Sequence, residues 1–279
     1  MNESNNKYQK IDINGCMYNY TQIMYEKYIE TCNANIHLSK EDMYFKSDEH
    51  YNAILEHVTK DFGDKYLTEI MNYYNTFYMQ NKDYLIEICN ENDLYGKTKK
   101  EYFTDFTYCS PSNLRYILHS LLSLSVMYEE SLNNINIIEI GGGYGGLCFF
   151  IKKLAPLFNI TITSYTMFDL LPVSRLQEKY LGYLNDNANC YQLDNFNIEK
   201  MKHNSFLISN YAFSEISMSL QEEYIQKIIN PYVSHGFLTW NAIPLYEFVE
   251  NKTIIPMAEF PDTGPGRNNY NCYVKFIPK

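Results

Sequence analysis

The sequence predicts an α/β fold, a mostly parallel sheet entered through a helical N-terminal region. Three observations carry this expectation. From residue 17 to about residue 130, apolar residues recur at three- and four-residue spacing, the period of helices with one apolar face. After residue 134 the texture changes to short apolar runs alternating with helical segments, the pattern of βαβ units. At the change stands IIEIGGGYGG, residues 137–146, where five of the chain's 12 glycines fall within six positions directly behind a strand-like run.

The helical region contains MYNYTQIMYEKYIETC (17–32), YLTEIMNYYNTFYM (66–79) and SNLRYILHSLLSLSVMYEES (112–131). The third is the clearest. Ser110 and Pro111 supply an N-cap followed by proline at the first helical position, and Leu114, Ile117, Leu118, Leu121 and Leu122 form a stripe. NENDLYGKTKKEYFTD (90–105) is polar and reads as an exposed loop. The division expected is residues 1–108 as a helical region, a cap over the acceptor site or an oligomerisation surface, and 109–279 as the sheet domain. Strands are expected at 135–140, 160–168, 189–193, 205–210, 236–241 and 270–277, and helices at 145–155, 172–183, 216–229 and 245–250. Right-handed crossovers would place the strand C-terminal ends on one edge, where open α/β sheets bind ligands.

Composition narrows the function. A net charge of -10 leaves no basic surplus to neutralise phosphates, which argues against nucleic acid. The polar N-terminus lacks a signal-peptide core, and the most apolar run, YILHSLLSLSVMY, is interrupted by His119 and serines, so a cytoplasmic protein without a membrane span is expected. The seven cysteines, 16, 32, 89, 109, 148, 190 and 272, form no CxxC or zinc-type spacing and read as reduced core thiols; no metal site is expected.

Gly141, Gly143 and Gly146 fit GxGxxG after a strand and at the opening of a helix, so a ligand can lie against bare backbone there. Asp169 follows at the end of the second strand, placed to accept hydrogen bonds from both ribose hydroxyls of an adenosine-containing cofactor. Glu139 lies two residues before the first glycine. Its charge would repel the pyrophosphate of a dinucleotide and attract the ammonium and sulfonium of S-adenosylmethionine, which makes the methyl donor the favoured cofactor.

IIEIGGGYGGL resembles motif I of class I S-adenosylmethionine-dependent methyltransferases, and the version with tyrosine between the glycine pairs resembles the sugar O-methyltransferases of surface-polysaccharide gene clusters. FDLLPVSRLQEKYL, LISNYAFSEIS and the GPG at 264–266 are similar to that family too, over about residues 110 to 277. DLLPV departs from it, since the family has proline directly after Asp-Leu. The resemblance implies a Rossmann-like sheet, mostly parallel with an antiparallel C-terminal strand, and a cofactor site made by Glu139, Gly141, Gly143, Tyr144, Asp169, Leu170, Asn195 and Asn210. Asn195 and Phe196 would bracket the adenine; Asn210 and Tyr211 would contact the methionine part and the acceptor. It implies a sugar or nucleotide-sugar acceptor in polysaccharide biosynthesis, and leaves a homo-oligomer open. For the base that activates the acceptor hydroxyl the candidates are Glu215, which stands first, His119 and His235, the last placed at the start of the fifth strand, on the far edge; Tyr211 joins the catalytic residues through its contact with the acceptor. The alternatives are another small-molecule or protein acceptor, or a non-catalytic scaffold of the same fold.

Overall fold

The computed structural model describes residues 16–264, 266 and 269–279, with side chains from residue 24 onward. Cys16's thiol and the Pro265 of GPG lie outside the described residues. The N-terminal region forms α1 (Cys16–Ile36), α2 (Glu49–Ile54), α3 (Lys60–Tyr73), α4 (Asn75–Asn92), a short antiparallel pair β1 (Glu101–Tyr102) and β2 (Tyr108–Cys109), and α5 (Pro111–Glu129). The helix expected at 66–79 is broken. Tyr74, at φ -124° and ψ 31°, separates α3 from α4. Tyrosine, asparagine and threonine cluster there, all weak helix formers, so the chain bends at low cost. The start of the expected loop 90–105 is helical as far as Asn92, whose side chain is buried by hydrogen bonds to Asn113 and Tyr144.

Ser110 caps α5, its hydroxyl accepting the Ser112 N–H at 3.3 Å. This helix is buried on every side from Pro111 to Leu124. It is the layer between the outer helices and the sheet, which explains why serines and His119 share a helix with leucines: no face of this stretch reaches water.

The sheet domain runs β3 (Asn134–Ile140), α6 (Gly146–Leu154), β4 (Thr161–Phe168), α7 (Leu171–Tyr183), β5 (Asn189–Tyr191), β6 (Ser205–Asn210), α8 (Ala212–Glu215), α9 (Met218–Tyr224), a π-helical turn (Ile225–Ile229), α10 (Asn230–Tyr232), β7 (Val233–Trp240), β8 (Lys252–Ala258) and β9 (Cys272–Pro278). The order is β5-β4-β3-β6-β7-β9-β8. The first five strands are parallel, and β9 is antiparallel to both β7 and β8. This is the Rossmann-like arrangement expected, with β9 as the reversed C-terminal strand. Residues 245–250 are not helical. They lead into β8, an edge strand whose Pro256 removes a donor and obscures the strand in the sequence.

The chain reverses its progress across the sheet between β3 and β6, which creates a crevice at their C-terminal ends. Alternation fixes what faces what. Ile135 and Ile137 of β3 point to the side of α5, α6 and α7, in one hydrophobic cluster with α1–α4; Ile138 and Ile140 point to the side of α9 and the π-turn. By the same period Glu139 faces the α5 side. Five of the cysteines, Cys32, Cys89, Cys109, Cys148 and Cys190, are buried free thiols, and Cys272 is a half-buried one.

Candidate active site

The chain leaves β3 through a turn in which Gly141 and Gly143 have φ of +74° and +56°, left-handed values that L side chains adopt only with strain. The Gly141 N–H donates to the Phe168 carbonyl at 2.8 Å, tying the turn to the end of β4. Asp169 completes the tie. Its Oδ2 accepts from the Gly143 N–H at 3.1 Å and from Gln177 Nε2 at 3.2 Å, and its Oδ1 from the Leu170 N–H at 2.8 Å. Gln177 also donates to the Gly143 carbonyl at 2.7 Å. Burial pushes the Asp169 carboxyl up to about 7, with the hydrogen bonds from Leu170, Gly143 and Gln177 opposing the rise. The sequence did not single out Gln177, although it lies inside the FDLLPVSRLQEKYL stretch.

Glu139 lies beneath the turn. Its Oε2 is 3.2 Å from where a Cβ on Gly142 would stand, and it accepts the Tyr165 hydroxyl at 2.8 Å. Burial pushes its carboxyl up to about 7, with the Tyr165 bond opposing and Asp169 adding to the rise. The Tyr144 ring turns away from the edge into the core, between Phe45, Tyr116 and Tyr180, with Lys46 Nζ 4.4 Å from its centre. Leu170 is exposed on the edge, and Asn195 is exposed beyond β5, with the Phe196 ring packed on Phe168 at 5.2 Å.

The second wall comes from β6. Asn210 accepts from Thr239 Oγ1 at 2.8 Å. Tyr211 has φ +64°, a strained value for a tyrosine, and its phenol donates to Glu259 Oε1 at 2.5 Å. Glu259 also accepts from Thr263 Oγ1 at 2.9 Å and from Asn271 Nδ2 at 3.1 Å. Glu259 was invisible in the sequence because the strand that delivers it, β8, was. His119 stands behind Tyr211, ring centres 6.2 Å apart, with Tyr66 and Tyr273 on its other sides. Neither of its ring nitrogens has a hydrogen-bond partner, and burial, then Arg115, holds its pKa down to about 3. Glu215 is exposed at the end of α8 and accepts from Asn241 Nδ2 at 2.5 Å. His235 lies in the first half of β7, 4.0 Å from Glu130. The structure therefore brings Tyr211 and His119 together and sets Glu215 on a separate hydrogen bond.

The two walls meet: a Cβ on Gly141 would lie 2.1 Å from the Ala212 Cβ. The helical region covers the other side, since Leu55, just past α2, sits over Gly143, with Cδ1 3.0 Å from where a Cβ would be. Among the described residues no group of three or more His, Cys, Asp or Glu could hold a metal ion, and no helix is long and apolar enough to cross a membrane.

No protein-family model and no curated protein matches the sequence. Solved structures similar to this chain include the mitomycin 7-O-methyltransferase MmcR, at 11% identity over 61% of this chain and 57% of that one, with a TM-score of 0.38. The plantazolicin methyltransferase BpumL, solved with a desmethyl plantazolicin analog and S-adenosylhomocysteine, is 10% identical over 79% of this chain and 97% of its own, with a TM-score of 0.42. The YcgJ protein of Bacillus subtilis is 14% identical over 45% of this chain and 52% of its own, with a TM-score of 0.32. The likeness to all three concerns the fold alone.

Proposed function

We propose that this chain is an S-adenosylmethionine-dependent O-methyltransferase that acts in the cytoplasm on a hydroxyl of a sugar, whether free, nucleotide-linked or in a surface glycan. One observation carries the reading: a left-handed glycine turn between β3 and α6, bound through the Gly143 N–H to a carboxylate at the end of β4. Bare backbone beside two carboxylates, Asp169 and Glu139, suits a ligand with ribose hydroxyls and a cationic end. When bound, S-adenosylmethionine supplies an electrophilic methyl group on a sulfonium. Asp169 would hold the ribose, Leu170 and Asn195 would flank the base, and Asn210 and Tyr211 would face the methionine end. Leu55 has to move off Gly143 for such a molecule to reach the turn.

Methyl transfer to an alcohol also needs a group that receives the hydroxyl proton as the new bond forms. Tyr211 is the best placed of the catalytic candidates, because Glu259 can take the phenol proton as the phenol takes the acceptor's. Glu215 is the second, as an exposed carboxylate on the same edge. His119 is neutral and enclosed, and acts only if Tyr211 swings aside.

Calorimetric titration with S-adenosylhomocysteine tests the donor site: the wild type should bind, and Asp169→Ala should lose about 1.5–3 kcal/mol for each ribose hydrogen bond removed. Equal affinities would remove Asp169 from the site. Mass spectrometry after incubation with a labelled donor and a panel of sugars, nucleotide sugars and glycans tests the acceptor class. A second reading, a non-catalytic scaffold, is favoured by Leu55 seated on Gly143. No thermal shift with either S-adenosylmethionine or S-adenosylhomocysteine would support it.

A further inference from the structure

Beside the turn that joins α2 to α3 lies a cavity of about 410 Å³, within the usual size range of small-molecule sites, whose lining includes Lys46, Asn52, Glu56, His57, Thr59 and Ser110. Its wall and the glycine turn are linked through Leu55. Leu55, flanked in sequence by the lining residues Asn52 and Glu56, touches Gly143, while its carbonyl accepts from Arg115 Nη2 at 2.9 Å. We propose that this cavity is the acceptor site, that Leu55 is the wall it shares with the methyl-donor turn, and that it takes a small molecule rich in hydroxyl or amine donors and free of phosphate. The inference rests on the methyltransferase reading and narrows its acceptor.

The chemistry follows from which lining groups are already partnered. The cations are: Lys60 on Asp64 at 2.6 Å, Lys99 on Glu101 at 2.9 Å, and the buried Lys46 on Tyr180 Oη at 2.7 Å and on the Asn92 carbonyl. Three acceptor atoms at or behind the wall are not, although the other Glu56 oxygen accepts the Ser110 hydroxyl at 3.4 Å. Asn52 Oδ1 and Glu56 Oε1 are shut off from solvent without a hydrogen-bond partner. So is Asp93 Oδ1, behind the lining residue Ser110, whose N–H donates to the other oxygen of the same carboxylate at 2.8 Å. Buried acceptors left without donors are costly, and a ligand carrying O–H or N–H groups relieves that cost. A phosphate brings only further acceptors, and negative charge beside Glu56, Asp61 and Glu101.

The wall can move without unfolding its neighbours. Tyr51 anchors α2 in the core, and Thr59 caps α3 by accepting the Phe62 N–H, so residues 55–58 span two fixed points. Displacing Leu55 would join the cavity to the glycine turn and bring the Asn52 and Glu56 oxygens to the ligand.

The test uses the full chain and calorimetry with glucosamine, glucose and glucose 6-phosphate as probes, each titrated into protein with and without S-adenosylhomocysteine. Glucosamine and glucose should bind, with glucose 6-phosphate at least about tenfold weaker. Asn52→Leu and Glu56→Gln should each weaken glucosamine by at least about fivefold and leave S-adenosylhomocysteine affinity within about twofold. Leu55→Ala should tighten S-adenosylhomocysteine by several-fold, because the closed population no longer competes. Three results overturn the inference: the phosphate probe binding tightest, sugar affinity indifferent to Asn52 and Glu56, or a protein that binds S-adenosylhomocysteine and none of the sugars. Sugar binding that depends on Asn52 in a protein that never binds S-adenosylhomocysteine overturns the methyltransferase reading instead, and supports the cavity as a sugar site.

Discussion

Two turns leave the sheet on the same edge, after β3 and after β6, and both require a left-handed residue. The first uses Gly141 at φ +74°, the second Tyr211 at φ +64°. Glycine adopts that conformation freely, whereas an L side chain costs about 1–2 kcal/mol there. The glycine turn is thus a local solution, written in composition. Both turns are tied to the next strand by one backbone bond at 2.8 Å, from the Gly141 N–H to the Phe168 carbonyl and from the Tyr211 N–H to the Thr239 carbonyl, but the tyrosine turn is held from outside as well, by its phenol on Glu259 at 2.5 Å. Strain that distant residues must maintain recurs at functional sites, and within the proposed function this is what favours Tyr211 over Glu215.

The comparison can be broken at its first member. Gly141→Ala adds a Cβ 2.1 Å from that of Ala212 in a left-handed conformation, and should cost about 2–5 kcal/mol from overpacking and backbone strain together. Chemical denaturation measures it, and a loss below about 1 kcal/mol would mean that the two turns do not press on each other.

Glu139→Gln probes what lies beneath that turn. The folded carboxyl stands at about 7, above its ordinary 4.5, so the folded state holds the proton more tightly than the unfolded chain does. That contribution to stability is complete below about pH 4.5 and is lost as pH rises through 7. The variant should therefore be more stable than wild type at pH 8, by on the order of 3 kcal/mol, and nearly equal to it at pH 4. Paired melts at the two pH values decide; a gain independent of pH would show that Glu139 is not buried as a titrating acid.

At the second member, Tyr211→Phe removes only the hydroxyl and should lose about 1.5–3 kcal/mol of stability, the worth of a hydrogen bond to a carboxylate. An unaltered melt would detach Glu259 from the strain at Tyr211. The smallest expected effect has the opposite sign. Gly182, inside α7, has no heavy atom within 4 Å of its Cβ position, so Gly182→Ala should stabilise the protein by about 0.5–1 kcal/mol. A destabilised variant would contradict the view that the glycines after β3, unlike this one, are there for conformation and close approach.

The sequence alone determined the parallel core and the glycine turn, because their signals are local: β3, β4 and β6 fall within one residue of the runs read for them, and a left-handed turn demands glycine wherever the chain goes. It also placed Asp169 at a strand end, since the run ITITSYTMF that precedes it is apolar, aromatic or β-branched at every position but Ser164. Tertiary structure decided the rest. The bend at Tyr74 divided one expected helix into two, and Pro256 hid an edge strand together with the glutamate that follows it. The turn's own tyrosine, Tyr144, went inward because a buried polar and aromatic cluster built from α4, α7 and Lys46 received it. Leu55 came to rest on Gly143 from 88 positions away in the chain, through contacts that leave no period or motif behind. A residue's conformational needs are encoded where it stands, but which group meets a buried carboxylate or covers a bare backbone depends on elements that only folding brings together.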